Sequence, residues 1–332
     1  MTDSLQALAR EIARELAAAG VARGAPPTNE HTSPTSTTRH PSSAPPTIST
    51  PAPTAAFPAA ASDASLSASA PPGVTFVREN ARLADFIDHT LLKAEATSAE
   101  IDKLCDEARE HRFAAVCVNP VWVERCAERL QGSAVRVATV IGFPLGANAS
   151  ETKRQEAALA VGSGAQELDM VVALGHVRGG DWNHVADDIA AVVEGAAGTL
   201  VKVIIESAAL TPVEIIKSCA IAREMGAQYV KTSTGFHPAG GASAEAVALM
   251  RLVVGDTMGV KASGGVRDCE SALRMIMSGA TRIGTSSGVS MATCLGPGPL
   301  PLHDLLSGAA SHSGGCTTCA AGSARAGSPG SY

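Results

Sequence analysis

The chain has few aromatic residues, no long apolar run and no excess of positive charge. Phe, Trp and Tyr make up 3% of its 332 residues, whereas 45% are hydrophobic, so its core must consist mainly of Ala, Val, Ile and Leu. A net charge of −6 and a pI near 5.9 provide no basic surface of the kind that binds nucleic acid. No stretch approaches the eighteen consecutive apolar residues of a membrane span. We therefore expect neither nucleic acid nor a membrane as a partner.

The sequence also lacks the features typical of a secreted protein. Its first twenty residues, MTDSLQALAREIARELAAAG, are charged throughout and have no apolar middle of the signal-peptide type. The eight cysteines are scattered and form no disulfide framework. Cys316 and Cys319 form a C-x-x-C pair, which we interpret as incidental because only His312 lies nearby to complete a zinc site. These observations predict a cytoplasmic location.

Composition divides the chain into four segments. Residues 1–24 have apolar residues at helical spacing and predict a short amphipathic helix. Residues 25–79 are rich in Pro, Ser, Thr and Ala, which predicts a disordered linker. Residues 80–293 are predicted to form the globular domain, and residues 294–332 a flexible Gly/Ser-rich tail.

The globular segment alternates short apolar runs with amphipathic stretches. In TPVEIIKSCAIAREMG, Thr211 is the expected N-cap, Pro212 lies in the first turn and Gly226 stops the helix. Eight strand–helix units predict an α/β protein with a single (β/α)8 TIM barrel. An open doubly wound sheet is the alternative, but no early Gly-x-Gly-x-x-Gly turn favours it. The predicted strands are 85–92, 114–120, 135–144, 166–174, 200–206, 227–234, 259–265 and 281–287.

Two lysines stand at equivalent points of two successive predicted strands. YVKTSTGF contains Lys231 and GVKASGGV contains Lys261, each after an apolar run and before small residues and glycine. Since barrel enzymes carry their chemistry at the C-terminal strand ends, we expect these ammonium groups to be neighbours there. Asp169 in QELDMVVAL lies two strands away. One lysine could extend from a strand end to solvent, but a pair at the same height favours a functional site.

Neighbouring lysines suit Schiff-base catalysis. A lysine amine attacks a carbonyl only when neutral, and its ordinary pKa of about 10.4 keeps it protonated near neutral pH. A second ammonium and partial desolvation lower that pKa. We therefore predict a nucleophilic lysine, an activating lysine, and Asp169 as the carboxylate for proton transfer. Lys202, four residues before Glu206, is expected deeper in the barrel, in a supporting ion pair with a neighbouring acid.

Glycine-rich turns follow the seventh and eighth predicted strands. They are SGGVR and GTSSG, and these are the loops where barrels commonly bind phosphate on backbone N–H groups. Glycine after a strand is ordinary loop chemistry, but two such turns in the expected places predict a phosphate site. The candidate residues are Gly264, Gly265, Arg267, Ser286 and Ser287.

Eight motifs, taken together, closely resemble the 2-deoxyribose-5-phosphate aldolase family of class I aldolases. The resemblance covers about two thirds of the chain, and it implies a (β/α)8 barrel that reversibly cleaves 2-deoxy-D-ribose 5-phosphate to D-glyceraldehyde 3-phosphate and acetaldehyde. It implies a role in deoxynucleoside catabolism and no metal or other cofactor, since an iminium is the electron sink. In order, the motifs are FIDHTLLK, VCVNP, VIGFPLG, ELDMVV, KVIIE, KTSTGF, VKASGG and RIGTSSG.

The resemblance implies a role for each matching residue. Lys231 would form the Schiff base, Lys261 would perturb its pKa and relay protons, and Asp169 would act with Lys261 and water on the substrate hydroxyl. Asp88 would support this network, and Cys117 would lie near the substrate. The phosphate would rest on Gly235, Gly264, Gly265, Ser286 and Ser287.

Other expectations from the resemblance are less direct. The family implies a C-terminal tyrosine that enters the site, and Tyr332 is the candidate, with a frayed terminus as the alternative. Some relatives have a lysine where Phe236 stands, so phosphate binding here is expected to depend more on backbone groups and Arg267. Relatives are often dimers, which makes a homodimer one expected state. Two other functions stay open: another class I aldolase, or a phosphosugar-binding barrel without turnover.

Overall fold

The structure, a computed structural model, describes residues 80–294, 298, 300–301 and 304–306. The predictions made for residues 1–79, and those for Cys316, Cys319 and Tyr332, lie outside the described residues. Among the residues that are described, no helix is long and apolar enough to cross a membrane.

Eight parallel strands close into one barrel in chain order, with the last strand beside the first. This confirms the (β/α)8 prediction, and every strand falls within its predicted segment. The predicted first strand starts later than expected because residues Leu83–Phe86 form a 3-10 turn. The strands are β1 Ile87–Leu91, β2 Ala115–Val118, β3 Arg136–Ile141, β4 Glu167–Val171, β5 Leu200–Ile204, β6 Tyr229–Lys231, β7 Gly259–Ser263 and β8 Arg282–Thr285.

Helices follow each strand, and two of them follow β4. The predicted limits of the helix after β5 agree with the structure. Thr211 caps it by accepting from the Glu214 N–H, Pro212 is the first helical residue, and Gly226 has a φ of 86° just beyond the end. The helices are α1 Ser98–His111, α2 Val123–Arg129, α3 Ser150–Gly162, α4 Leu174–Gly179, α5 Trp182–Gly195, α6 Pro212–Glu224, α7 Ala244–Val254, α8 Cys269–Met277 and α9 Gly288–Cys294.

The barrel strands carry two different kinds of face. Residues that point outward, such as Val116 and Val137, join the large aliphatic core under the helices. The alternate residues form a small inner cluster that includes Cys117 and Ala138, with Phe143 packed against it. The interior also contains several charged side chains, which is unusual because isolated buried charges are costly. Its fully buried charged members on the strands are Asp88, Glu167, Asp169, Lys202 and Lys261.

A second buried ion pair fixes the end of β4 from outside the barrel. Lys153 of α3 and Asp188 of α5 are both fully buried, with Nζ 2.7 Å from Oδ2. The Lys153 Nζ also donates to the Val171 carbonyl oxygen at 3.0 Å. The same Asp188 oxygen accepts from the Ala173 N–H at 3.1 Å, and Oδ1 accepts from the Ser150 hydroxyl. Two helices are thus bonded to the backbone where β4 ends.

Replacing Lys153 by Met should lower the free energy of unfolding by about 3–5 kcal/mol, because it leaves the Asp188 carboxylate buried without its cation. Denaturant unfolding followed by circular dichroism measures the change. Lys103→Met is the matched control, since Lys103 is 75% exposed and its ion pair with Glu107, at 3.7 Å, lies on the surface. We expect the control within about 0.5 kcal/mol of the parent. Equal losses in the two variants would contradict the anchoring role of Lys153.

Candidate active site

The two lysines of the sequence pattern lie opposite each other on neighbouring strands. Lys231 is the last residue of β6, and its register partner on β7 is Lys261. Lys231 is 3% exposed and Lys261 is fully buried. Both side chains point into the barrel, because their ammonium groups contact the same carboxylate of β4.

Asp169 connects three lysines from three strands. Its Oδ2 lies 2.8 Å from the Nζ of Lys231 and 2.7 Å from the Nζ of Lys261. Its Oδ1 accepts from the Nζ of Lys202 at 2.6 Å. Since Asp169 is itself fully buried, all its contacts are made away from bulk water. The carboxylate therefore sets the position of every ammonium group in the site.

Three more charged residues extend this network below Asp169. Lys261 Nζ is 2.5 Å from Asp88 Oδ2, and Lys202 Nζ is 2.7 Å from Glu167 Oε2. Arg282 joins both acids: its Nε donates to Asp88 Oδ1 at 2.7 Å, and its Nη2 lies 2.8 Å from Glu167 Oε2. Lys202 thus lies deep in the barrel with its ammonium paired to two carboxylates, so its amine is not available to attack a substrate.

The charges of this network balance when Lys231 is neutral. A buried excess charge is costly, so the interior is most stable when its cations and carboxylates are equal in number. With Lys231 uncharged there are three of each, whereas a protonated Lys231 adds one uncompensated positive charge. The carboxylates are Asp88, Glu167 and Asp169, and the other cations are Lys202, Lys261 and Arg282.

The surroundings shift the pKa values of the two paired lysines in opposite directions. Burial lowers the pKa of Lys231 and outweighs the opposing Asp169 carboxylate, and the Lys261 ammonium lowers it further. Burial also acts to lower the pKa of Lys261, but Asp169 and Asp88 outweigh it and raise that pKa well above its ordinary value. Although burial acts to raise the pKa of Asp169, the ammonium groups of Lys202, Lys231 and Lys261 hold it well below its usual range. Compared with an ordinary lysine, Lys231 is therefore shifted toward the neutral amine and Lys261 toward the ammonium.

Cys117 lies beside these charges on the inner face of β2. Its thiol is fully buried, and burial raises its pKa. A thiol that stays protonated is a poor nucleophile. The residue therefore contributes apolar volume next to the lysines rather than a second reactive group.

The glycines of the two strand-end loops allow backbone to pack on backbone. Gly235, Gly264 and Gly265 have φ values of 88°, 85° and 81°, in the left-handed region that favours glycine. A Cβ on Gly241 would overlap the Gly264 carbonyl oxygen. The same oxygen accepts from the Ala242 N–H at 3.0 Å. Any side chain on Gly241 would therefore displace the loop that follows β7.

The remaining residues predicted to bind phosphate are Arg267, Ser286 and Ser287, and they differ in exposure and in which donor group is available. Arg267 and Ser286 are exposed at the ends of β7 and β8, and Ser287 is half-buried. The Ser287 N–H already donates to Thr285 Oγ1 at 3.0 Å, so its hydroxyl is the more available group. Ser233, one residue before the loop of β6, has a buried hydroxyl for which no hydrogen-bond partner occurs among the described residues.

Glu167 and Arg282 are members of the charged network that sequence reasoning did not select. Glu167 was visible as a strand residue two positions before Asp169, and in a strand such a spacing puts both on one face. Arg282 begins β8 before a buried isoleucine and resembles an ordinary solvent-facing strand end. Only closure of the barrel brings Arg282 to Asp88, 194 residues away in sequence.

Comparisons with known proteins agree on the kind of protein. A family model described as DeoC/LacD family aldolase matches residues 83–292. A deoxyribose-phosphate aldolase of Brevibacillus brevis is 58% identical over 208 residues, which are 63% of this chain and 94% of that protein. One of Geobacillus sp. is 59% identical over 210 residues, again 63% and 94%. The tetrameric deoxyribose phosphate aldolase of Aeropyrum pernix is 34% identical with a TM-score of 0.60, covering 64% of this chain and 90% of that one.

The fold, the lysine site and these matches define a class I aldolase, a carbon–carbon lyase built on a (β/α)8 barrel. Within that class, the chain belongs to the DeoC/LacD family of aldolases. The enzyme class expected from the sequence is confirmed.

The neutral fraction of Lys231 should be measurable by competitive labelling with acetic anhydride. We expect its acetylation to rise with pH through a midpoint below 10.5, since its pKa is lowered by burial and by the Lys261 ammonium. Lys261→Met removes that ammonium and should move the midpoint upward. Peptide mass spectrometry reads Lys231 and the exposed Lys103 in the same sample.

Lys103 serves as the internal control because its side chain is 75% exposed, and its labelling should be the same in both proteins. A Lys231 midpoint at or above 10.5 would contradict a pKa that is lowered by the surroundings. A midpoint that does not move in Lys261→Met would show that Lys261 does not perturb Lys231.

Proposed function

We propose that the chain is a deoxyribose-phosphate aldolase that reversibly cleaves 2-deoxy-D-ribose 5-phosphate through a Schiff base on Lys231. The products are D-glyceraldehyde 3-phosphate and acetaldehyde. The single observation that carries the proposal is the pair of lysines on Asp169, one of them with a lowered pKa and the other with a raised pKa. Relatives of 58% and 59% identity named deoxyribose-phosphate aldolase support the choice of substrate.

In the first step the neutral Nζ of Lys231 attacks the C1 aldehyde of the open-chain sugar. The carbinolamine hydroxyl takes a proton from the Lys261 ammonium and leaves as water, which produces a protonated iminium on Lys231 and a neutral amine on Lys261. This iminium carries a positive charge at a position 2.8 Å from the Asp169 carboxylate in the free protein. The carboxylate thus stabilises the charge that makes the iminium an electron sink.

In the second step a base removes the proton of the C3 hydroxyl and the C2–C3 bond breaks. The electron pair of that bond enters the iminium, which becomes a neutral enamine, and glyceraldehyde 3-phosphate leaves. The neutral enamine and the reprotonated Lys261 ammonium leave three cations and three carboxylates in the network, as in the free protein. Protonation of the enamine carbon and hydrolysis then release acetaldehyde and regenerate Lys231.

Asp169 is better suited to position the base than to act as the base alone. Its two oxygens accept from three ammonium groups, and its pKa lies well below the usual range. A weakly basic carboxylate removes a hydroxyl proton slowly. We therefore assign proton transfer to a water held by Asp169 and Lys261. This water takes the C3 hydroxyl proton and gives a proton to the neutral amine that Lys261 became in the first step, which restores the Lys261 ammonium. Asp88, at 2.5 Å from Lys261, holds that ammonium in place.

The 5-phosphate would bind to the strand-end loops of β6, β7 and β8. Positive φ values at Gly235, Gly264 and Gly265 open the backbone to a close approach by phosphate oxygens. The Ser286 hydroxyl and the exposed Arg267 add a donor and a charge on the same side of the barrel. Phe236 provides no charge, so backbone N–H groups carry more of the binding.

The cytoplasmic location, the role in deoxynucleoside catabolism and the homodimer stay predictions. The Aeropyrum pernix relative is tetrameric, so a tetramer is the competing assembly. Light scattering of the purified full chain distinguishes the two, and cell fractionation tests the location. Tyr332, which lies outside the described residues, is tested by its truncation: slower enamine protonation supports entry into the site, and unchanged turnover supports a frayed terminus.

Borohydride reduction in the presence of deoxyribose 5-phosphate should attach the reduced sugar or acetaldehyde fragment to Lys231. Mass spectrometry of peptides locates the adduct, which we expect on Lys231 and on no other lysine, since the other ammonium groups of the site are paired with two carboxylates each. Lys231→Met should abolish the adduct and turnover, because methionine has no amine to form the iminium and adds no charge to the buried network.

Lys103→Met, at an exposed lysine, is the matched control and should retain the adduct and full activity. No adduct in a folded protein that binds the sugar phosphate would overturn the proposal and favour a binding barrel. An adduct formed with dihydroxyacetone phosphate, but not with acetaldehyde, would point to another class I aldolase.

Gly241→Ala should weaken recognition of the phosphate without removing the chemistry. Its Cβ would overlap the Gly264 carbonyl oxygen and displace the phosphate loop. We expect KM for deoxyribose 5-phosphate to rise about tenfold, which corresponds to about 1.4 kcal/mol, and cleavage of unphosphorylated deoxyribose to stay unchanged. Gly175→Ala, with no atom within 4 Å of its added Cβ, is the control. An equal loss on both substrates would show a general disturbance of the barrel instead.

A further inference from the structure

Two histidines and an aspartate meet where α4 joins α5. The rings of His176 and His184 stack with centroids 3.6 Å apart and planes at 15°. His176 Nδ1 lies 3.1 Å from Asp181 Oδ2. One ligand atom from each of the three residues lies within 4.8 Å of the other two. In the part of the chain that the structure describes, no other group of three such side chains is this close.

The joint between the two helices produces this arrangement. Helix α4 ends at Gly179, Gly180 turns the chain with a φ of 74°, and Asp181 caps α5. Asp181 Oδ1 accepts from the His184 N–H at 3.3 Å, which leaves Oδ2 directed to His176. One carboxylate oxygen thus accepts from the backbone of α5, and the other faces His176 as a possible metal ligand.

The three residues each bring one atom of a type that binds metal ions into the same small volume. A neutral imidazole has one ring nitrogen with a lone pair, and two such rings lie side by side here. Asp181 contributes a carboxylate oxygen, Oδ2, on the side of His176. The ligand atoms are therefore two nitrogens and one oxygen, all within 4.8 Å of one another.

We propose that His176, Asp181 and His184 form a binding site for a divalent transition-metal ion, with Zn²⁺ as the best-fitting member of the class. Zinc takes nitrogen and oxygen ligands at about 2.0–2.2 Å in a tetrahedron, so its ligand atoms are roughly 3.4 Å apart. The His176–Asp181 distance of 3.1 Å is close to that value. The His184 side chain is partly exposed, so a small rotation would bring its ring nitrogen to the same distance from the other two ligand atoms. Water completes the fourth position.

The choice of metal follows from the ligands. Two imidazole nitrogens favour Zn²⁺ and its transition-metal neighbours over Mg²⁺ and Ca²⁺, which prefer oxygen. The positive end of the α5 dipole opposes a cation at this position, and the Asp181 carboxylate offsets it. None of the three residues belongs to the lysine network, so we infer a structural ion that ties α4 to α5 just after β4.

Isothermal titration with Zn²⁺ tests the site on the full chain carrying Cys316→Ser and Cys319→Ser, which removes the two tail thiols that could bind zinc. We expect one ion per chain, and a melting temperature higher by about 2–5 °C at a tenfold excess over Kd. Co²⁺ should give the visible absorption of a tetrahedral site, and Mg²⁺ should not bind.

His176→Gln, His184→Gln and Asp181→Asn each remove one ligand, and Asn keeps the helix cap. Each should weaken Zn²⁺ binding by at least about tenfold, the effect typical of losing even an outer-shell partner. His111→Gln, a half-buried histidine of α1, is the matched control and should bind as the parent does. The proposal is overturned if millimolar Zn²⁺ does not bind to the chain with both cysteine substitutions. It is also overturned if His184→Gln binds Zn²⁺ with the affinity of the parent.

Discussion

The structure depends above all on the buried carboxylate of Asp169, which accepts from three lysines on β5, β6 and β7. An ammonium group without a partner could not be kept in this interior, because its desolvation would cost several kcal/mol. The barrel meets that constraint with equal numbers of carboxylates and permanent cations. An ordinary barrel has an apolar centre, whereas this barrel contains an ionic network with balanced charges. The candidate active site lies at the end of that network nearest the C-terminal ends of the strands.

One additional acid accounts for the different behaviour of the two paired lysines. Lys261 contacts both Asp169 and Asp88, and these carboxylates raise its pKa in spite of burial. Lys231 contacts Asp169 alone and faces the Lys261 ammonium, so burial prevails and its pKa falls. By placing Asp88 on the strand that closes the barrel, the fold therefore gives two lysines opposite pKa shifts, which suit the proposed roles of nucleophile and proton carrier.

The rim of the barrel follows a different physical rule from its interior. Its loops are held by close backbone packing, as at Gly241 and Gly264, and by capped helix ends such as Asp181. These contacts tolerate solvent, so polar groups there stay available for ligands. The proposed phosphate site on the strand-end loops and the proposed metal site at the α4–α5 joint both depend on that property. The chemistry of cleavage, in contrast, needs the water-poor interior.

Sequence alone determined the eight strand–helix units, the capped start of α6, the facing of Lys231 and Lys261, and the glycine turns after the last strands. These features depend on local periodicity and on the position of a residue within one strand. Only the tertiary structure decided that Arg282 joins Asp88 to Glu167, that Lys202 is held by two acids, and that Gly241 lies against Gly264. Those contacts depend on strand register and on the closure of β8 against β1, and no local pattern encodes a contact between residues 194 positions apart.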